Sequence, residues 1–285
     1  MFALPLTIAL AAPVATATSS LPAMPSAELP AASGSTSATP SVKLVAPQTP
    51  EASASRPPAQ LIEEDSRGWS VNWSQSTLTV KGLGQAPLAG THAERIRRSR
   101  KLAQLDGWNL MARALQGLRL NGEFLVADVI AVQDDRRNRL DEGIRDATVV
   151  GETRFADGST ELSLQLPLVG PGGVASWLGQ SATPSTVPLA GPVTGIILDA
   201  RGSGMQPAFA ARLEDERGNL LPGGALVVLY AHGEDGLQSW VGDRPRTLRV
   251  KVARGTTRGN ALLAPAEAEA WRASWKTGIP VVIVL

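Results

Sequence analysis

The sequence predicts an α+β fold: an antiparallel sheet with a long helix packed across it, followed by a second small region of α/β type. Three observations predict it. Residues 69–82 and 147–166 alternate apolar and polar side chains around short polar turns, as half-buried hairpins do. Between them, residues 92–116 carry a helical period. After them comes a series of short apolar runs that ends in Val281-Val282-Ile283-Val284-Leu285.

The chain opens with an apolar run, Met1 to Ala12, too short to span a bilayer as a helix. It leads into Ala15-Thr16-Ala17, the small-residue pattern of a cleavage site. Residues 1–17 are therefore expected to be a signal peptide, which makes this an exported protein of the periplasm, cell envelope or secreted fraction. No Lys or Arg precedes the run, so either the start lies upstream or the signal is weak. Cysteine is absent, which removes a lipid-anchored cysteine, a disulfide framework and a thiolate nucleophile together. Residues 18–62 are rich in Ala, Pro, Ser and Thr, with few charges and no aromatics. Such a segment buries too little apolar area to offset its ordering entropy. A disordered linker is expected over 18–65.

The first folded region is expected over 66–170. Trp69 to Trp73 and Thr77 to Gly82 form its first hairpin around Ser74-Gln75-Ser76. Thr91 caps the long helix, and Glu94 three residues on completes a capping box. Gly117 is expected just past its end. Ile96, Ala103, Gly107, Leu110 and Ala114 share one face of mostly small residues, which suits close packing on a sheet. Leu102, Leu105, Trp108, Ala112 and Leu115 form a second apolar wall, and Arg95, Ser99, Asp106 and Arg113 a polar strip. A short strand at 118–120 and a short helix within 124–132 follow, then a charged, solvated stretch over 133–142. Ala147 to Phe155 and Thr160 to Leu166 make the second hairpin, joined through Asp157-Gly158.

Residues 171–191 are rich in Gly, Pro, Ser and Thr and are expected to be a linker. The second region, 192–285, then holds strands at 193–200, 209–213, 226–230, 247–252 and 281–285. Pro265 opens a helix that runs to about Lys276. Five consecutive apolar residues at the end read as a strand buried on both faces.

The stretch Leu102-Ala103-Gln104-Leu105-Asp106-Gly107-Trp108-Asn109-Leu110, with Leu115-Gln116-Gly117-Leu118-Arg119-Leu120 after it, resembles the helix of the LPP20-like domain family. The Val71-Asn72-Trp73 hairpin before it and the Val149-Val150 strand with its Asp157-Gly158 turn fit the same pattern. The resemblance covers roughly residues 69–168 and extends to the amino-terminal module of the flagellar assembly protein T. It implies a bacterial envelope lipoprotein or periplasmic protein without enzymatic activity. This chain departs from the lipoprotein members in lacking the anchoring cysteine, and its Pro/Ala/Ser leader is unusually long. Residues 194–202 and 281–284 resemble the carboxy-terminal extension behind such domains in other exported proteins.

The residues offer little chemistry. Net charge is +1, which argues against electrostatically driven nucleic-acid binding. His92 and His232 are the two histidines and lie far apart, so zinc sites and His-based triads have no support, and no cofactor is expected. Arg201-Gly202-Ser203-Gly204 follows a strand, but Pro207 stands where a dinucleotide fingerprint needs its third glycine and no helix pattern follows. The acidic pairs Asp134/Asp135 and Asp141/Glu142 lie in a solvated stretch. Glu214-Asp215-Glu216 lacks the spacing of a calcium loop. Asp106 and Asp199 sit in apolar elements and are expected to be ion-paired to Arg113, Arg119 or Arg201.

One cluster stands out. Arg95, Arg97, Arg98, Arg100 and Lys101 crowd the first turns of the long helix, where positive charge opposes the helix dipole. They are candidates for contact with an acidic partner; the plainer reading is a solvated helix face. The expectation is a non-enzymatic envelope protein that docks on other envelope proteins or on itself, with no nucleic acid and no integral membrane span. A second reading stays open, a small-ligand or polysaccharide-binding protein using Trp69, Trp73, Trp177 or Trp240. Tryptophans exposed in one groove favour it, and buried ones favour docking. An enzyme with an unfamiliar site is a third.

Overall fold

A computed structural model describes residues 58–179 and 185–285, which belong to one unit, Glu51–Leu285. The expected signal peptide and most of the expected leader lie outside the described residues. The fold is α+β. It has two sheets, one antiparallel and one mixed, with helices laid on them. No helix among the described residues is long and apolar enough to cross a membrane.

The first sheet is built from β1 (Ile62–Asp65), β2 (Trp69–Asn72), β3 (Thr77–Gly84), β4 (Thr148–Arg154) and β5 (Thr160–Pro167). Its order is β1-β2-β3-β5-β4, and every pairing is antiparallel. Both expected hairpins are present. Strand β1 was hidden at the end of the expected linker, because Glu63, Glu64 and Asp65 look like solvated charge. As an edge strand it needs little apolar content, and its backbone pairs residue for residue with β2.

Helix α1 (His92–Gly117) crosses the sheet over β3 and β5. Thr91 caps it as the sequence requires: its hydroxyl accepts from the Glu94 N–H at 3.3 Å, and the Glu94 carboxylate accepts from the Thr91 N–H at 2.9 Å. Gly117 is the last helical residue rather than the residue beyond it, and Leu118 closes the helix in an extended conformation. The buried face is Ser99, Ala103, Gly107, Met111, Ala114 and Leu115. It meets Leu78, Val80, Gly82 and Gly84 of β3 and Thr160, Leu162, Leu164 and Leu166 of β5, which alternate in register. A Cβ on Gly82 would fall 2.1 Å from the Ala103 carbonyl oxygen, and one on Gly84 1.8 Å from that of Ser99. The small-residue face therefore does what its composition implies: it lets backbone lie on backbone. Ser99, expected on the polar strip, is instead buried and shares a 2.8 Å hydroxyl–hydroxyl hydrogen bond with Thr160.

Helices α2 (Val126–Val132) and α3 (Asp134–Arg145) follow. The first was expected. The second occupies the stretch read only as charged and solvated; it buries Leu140, Gly143 and Ile144 and leaves its charges outward. Within the expected linker 171–191, helix α4 (Val174–Trp177) packs Val174, Ala175 and Leu178 into the core.

The second sheet contains β6 (Gly195–Asp199), β7 (Ala211–Glu214), β8 (Leu220–Leu226), β9 (Leu229–Ala231), β10 (Pro245–Arg254), β11 (Asn260–Leu263) and β12 (Val281–Val284). Its order is β8-β7-β11-β10-β6-β12-β9. The expected strand at 226–230 is split: β8 ends at Leu226 and β9 begins at Leu229. Strand β12 lies parallel between β6 and β9, with all four residues buried. Its two faces serve two cores. Val282 and Val284 join Ile197 against Leu237 and Val241 at the short helix α5 (Gln238–Val241). Val281 and Ile283 join Ile196 and Leu198 in the main core. This is why the sequence there is apolar without alternation. Helix α6 (Pro265–Ser274) starts on its proline and buries Ala268, Trp271 and Ser274.

The main core runs through both sheets. Trp73 packs edge-on against Phe209 and Tyr230, each with ring centroids 5.8 Å away. Main-chain hydrogen bonds join the halves as well: Phe209 and Ala210 donate to Arg119 and Leu120, Thr257 to Gly122, and His232 to Ala59. Asn260 is buried, accepts from the Gly122 N–H at 2.7 Å and donates to Glu214 at 3.1 Å.

Candidate functional site

The five basic residues in the first turns of α1 divide into two groups. Arg95 donates to the Pro87 carbonyl at 2.9 Å and to that of Asp157 at 3.0 Å, so it ties the helix start to two loops. Arg100 donates to Glu152 on β4 at 3.0 Å. These two cations hold α1 to its own sheet. Arg97, Arg98 and Lys101 are exposed, and none makes an ion pair among the described residues.

Spacing places Arg97, Arg98, Lys101, Leu102 and Leu105 on the side of α1 away from the sheet. Leu102 is 47% exposed and Leu105 43% exposed, so the second apolar wall read from the sequence is buried only in its later part. The reason is the reach of α3. It flanks the later turns of α1, where Trp108, Ala112 and Ile144 line one groove. Leu105 stands at the near end of that groove, and Leu102, a turn earlier, is not among its lining. The result is a surface with three exposed cations and two partly exposed leucines over about two and a half turns of helix.

The four candidate tryptophans do not share a groove, and the stacked pair in the fold is Trp271 on Trp275, ring centroids 5.0 Å apart. Trp73 is buried in the main core. Trp177 packs beneath Gly143 of α3, and Trp240 against the smaller core. Trp69 is half-buried and lines a separate cleft beside α1. Trp108, on the second apolar wall, is half-buried with an enclosed indole N–H that finds no hydrogen-bond partner among the described residues.

Several carboxyls are held below their ordinary range by their neighbours. Asp199 takes both arms of Arg201, and this contact keeps its carboxyl below the usual range; Arg201 also reaches Glu234. That pairing follows the sequence expectation. Asp106 instead accepts the Leu83 N–H at 2.9 Å and makes no ion pair among the described residues. Glu152 is pulled down by Arg154 and then Arg100. Asp215 is lowered first by the Asn219 N–H. Glu216 pairs with Lys251 at 2.6 Å, so the acidic tip at 214–216 is spent on local contacts. Asp134 and Asp135 stand in the first turn of α3, where they favour the helix dipole. The Gly202–Gly204 segment is a tight turn, with no helix after it before β7. His232 is exposed. Among the described residues, no group of three or more His, Asp or Glu is placed to hold a metal ion.

No protein-family model matches the chain, and no curated protein matches it in sequence.

Proposed function

We propose that this chain is an exported, non-enzymatic protein of a bacterial-type envelope, and that it docks on an acidic partner through the uncovered first half of α1. The observation that carries the reading is the grouping of the exposed Arg97, Arg98 and Lys101, which make no ion pair among the described residues, with the exposed Leu102 and Leu105. Two bare leucines supply apolar area, at about 25 cal/mol per Å² buried, and three cations supply orientation and selectivity. A solvated face would not need the leucines.

Further support comes from three directions. The hairpin–helix–hairpin order over residues 69–168 suits the LPP20-like resemblance. The shifted carboxylates are lowered rather than raised, as structural ion pairs are and acid catalysts are not. Trp69, Trp73, Trp177 and Trp240 are dispersed over the core and separate clefts, which favours docking over a polysaccharide groove lined by those four.

A photo-crosslinking residue placed at Leu105 in the full chain, in its native cells, tests the proposal. Crosslinks to an acidic segment of one protein, reproducible and lost on mutating Arg97 and Arg98 to Glu, are expected. Crosslinks that ignore that charge reversal contradict it.

A further inference from the structure

A second surface lies on a different side of α1. Strand β2 pairs with β3 only from Thr77 to Val80, while β3 runs on to Gly84. The last four residues of β3 therefore have no strand neighbour on that side. Two contacts close the open edge: the Lys81 N–H donates to the Gly68 carbonyl, and the Leu83 N–H to the Asp106 carboxylate. What remains between the end of β2, the tail of β3 and the later half of α1 is a cleft of about 570 Å³. That volume lies within the range of small-molecule sites.

The lining is chemically uneven. Trp69 and Leu110 supply apolar surface. Arg113 supplies a cation that makes no ion pair among the described residues, Lys81 borders the cleft from a strand position that faces away from α1, and Arg67 at the rim is already paired with Asp65. Asn109 lines the cleft, as does Asp106, which has one oxygen left after binding the Leu83 N–H. A plain anion has no use for a tryptophan, a leucine and an extra carboxylate. An aromatic acid has no use for Asn109 and Asp106. A sugar ring that carries a carboxylate uses them together: its flat apolar face on Trp69, its hydroxyls on Asn109 and Asp106, its carboxylate on Arg113 with Lys81 at the edge of the cleft.

We propose that this cleft binds a uronic-acid-type sugar. The proposal is independent of the docking face, because none of the cleft's residues belongs to that face.

The test is titration of the full chain with digalacturonate by calorimetry, with cellobiose and inorganic phosphate as comparison probes. The indole N–H signals are followed by NMR in parallel, and Trp69 is assigned from a Trp69→Phe spectrum. Saturable one-to-one binding of digalacturonate is expected, with a shift of the Trp69 signal. Cellobiose and phosphate should bind at least tenfold more weakly. Lys81→Glu with Arg113→Glu, both at exposed positions, should weaken digalacturonate at least tenfold while leaving thermal unfolding within a few degrees of wild type. Arg113→Glu alone serves if the double variant fails to fold. Equal binding of all three probes, no binding of digalacturonate, or binding untouched by these substitutions overturns the proposal.

Discussion

Gly82 and Ala103 meet backbone to backbone: a Cβ on Gly82 would stand 2.1 Å from the Ala103 carbonyl oxygen and 2.4 Å from the Gly107 nitrogen. No side-chain rotation relieves such a contact, so the helix itself must lift. Gly82→Ala is expected to cost about 1–3 kcal/mol or more, as overpacking does. Gly117 is the contrast: its Cβ would meet nothing within 4 Å. Gly117→Ala should stabilise by up to about 1 kcal/mol through helix propensity. Urea unfolding of both variants checks the pair; a Gly82→Ala protein as stable as wild type would mean that α1 does not lie this close.

Asn260 joins the two halves of the fold. Its side chain accepts from the Gly122 and Arg212 N–H groups and donates to Glu214. Asn260→Ala leaves the buried Gly122 N–H without its partner, a loss of about 1–3 kcal/mol. The unfolding midpoint should fall in one cooperative step. Two separate transitions would show that the sheets unfold independently.

Removal of residues 281–285 takes out β12, the strand between β6 and β9. It exposes the faces of both cores at once. The truncated chain is expected to lack a cooperative thermal transition and to resonate as an unfolded chain in one-dimensional NMR.

Acid should destabilise the fold within a defined range. The Asp199 and Glu152 carboxyls are held below their ordinary values by Arg201 and Arg154 respectively. A carboxylate lowered in the folded state contributes stability that is present above its unfolded pKa and lost as pH falls through its folded value. The melting temperature should be level between pH 7 and about 5 and drop below about pH 4. Asp199→Asn should lower it slightly at pH 7, since Arg201 is half exposed, and make the acid drop shallower. An acid drop of equal depth in Asp199→Asn would remove Asp199 from this account.

Sequence and structure agree where local chemistry decides. The Thr91–Glu94 capping box, the two hairpins and Pro265 at a helix start are set by residues a few positions apart. They diverge where a distant neighbour decides. Helix α3 has few apolar positions, and its charges conceal the Leu140 and Ile144 stripe that it buries in the main core. Leu102 and Leu105 have the period of a buried face, but both stay partly exposed, Leu105 at the near end of the groove between α1 and α3. Arg95 and Arg100 look like their neighbours Arg97 and Arg98 until Asp157 and Glu152 arrive from the second hairpin. The cleft beside Trp69 follows from β2 being shorter than β3, a mismatch that appears only once the strands pair.

The most direct measurement is quantitative capture from native envelope extract by the full chain and by an Arg97→Glu, Arg98→Glu, Lys101→Glu variant of unchanged thermal stability. The account predicts one acidic partner held in near-stoichiometric amount by the natural chain, weakened at least tenfold by the variant and by raised salt. The same partner held equally by both chains, or none held by either, would contradict docking through the first half of α1.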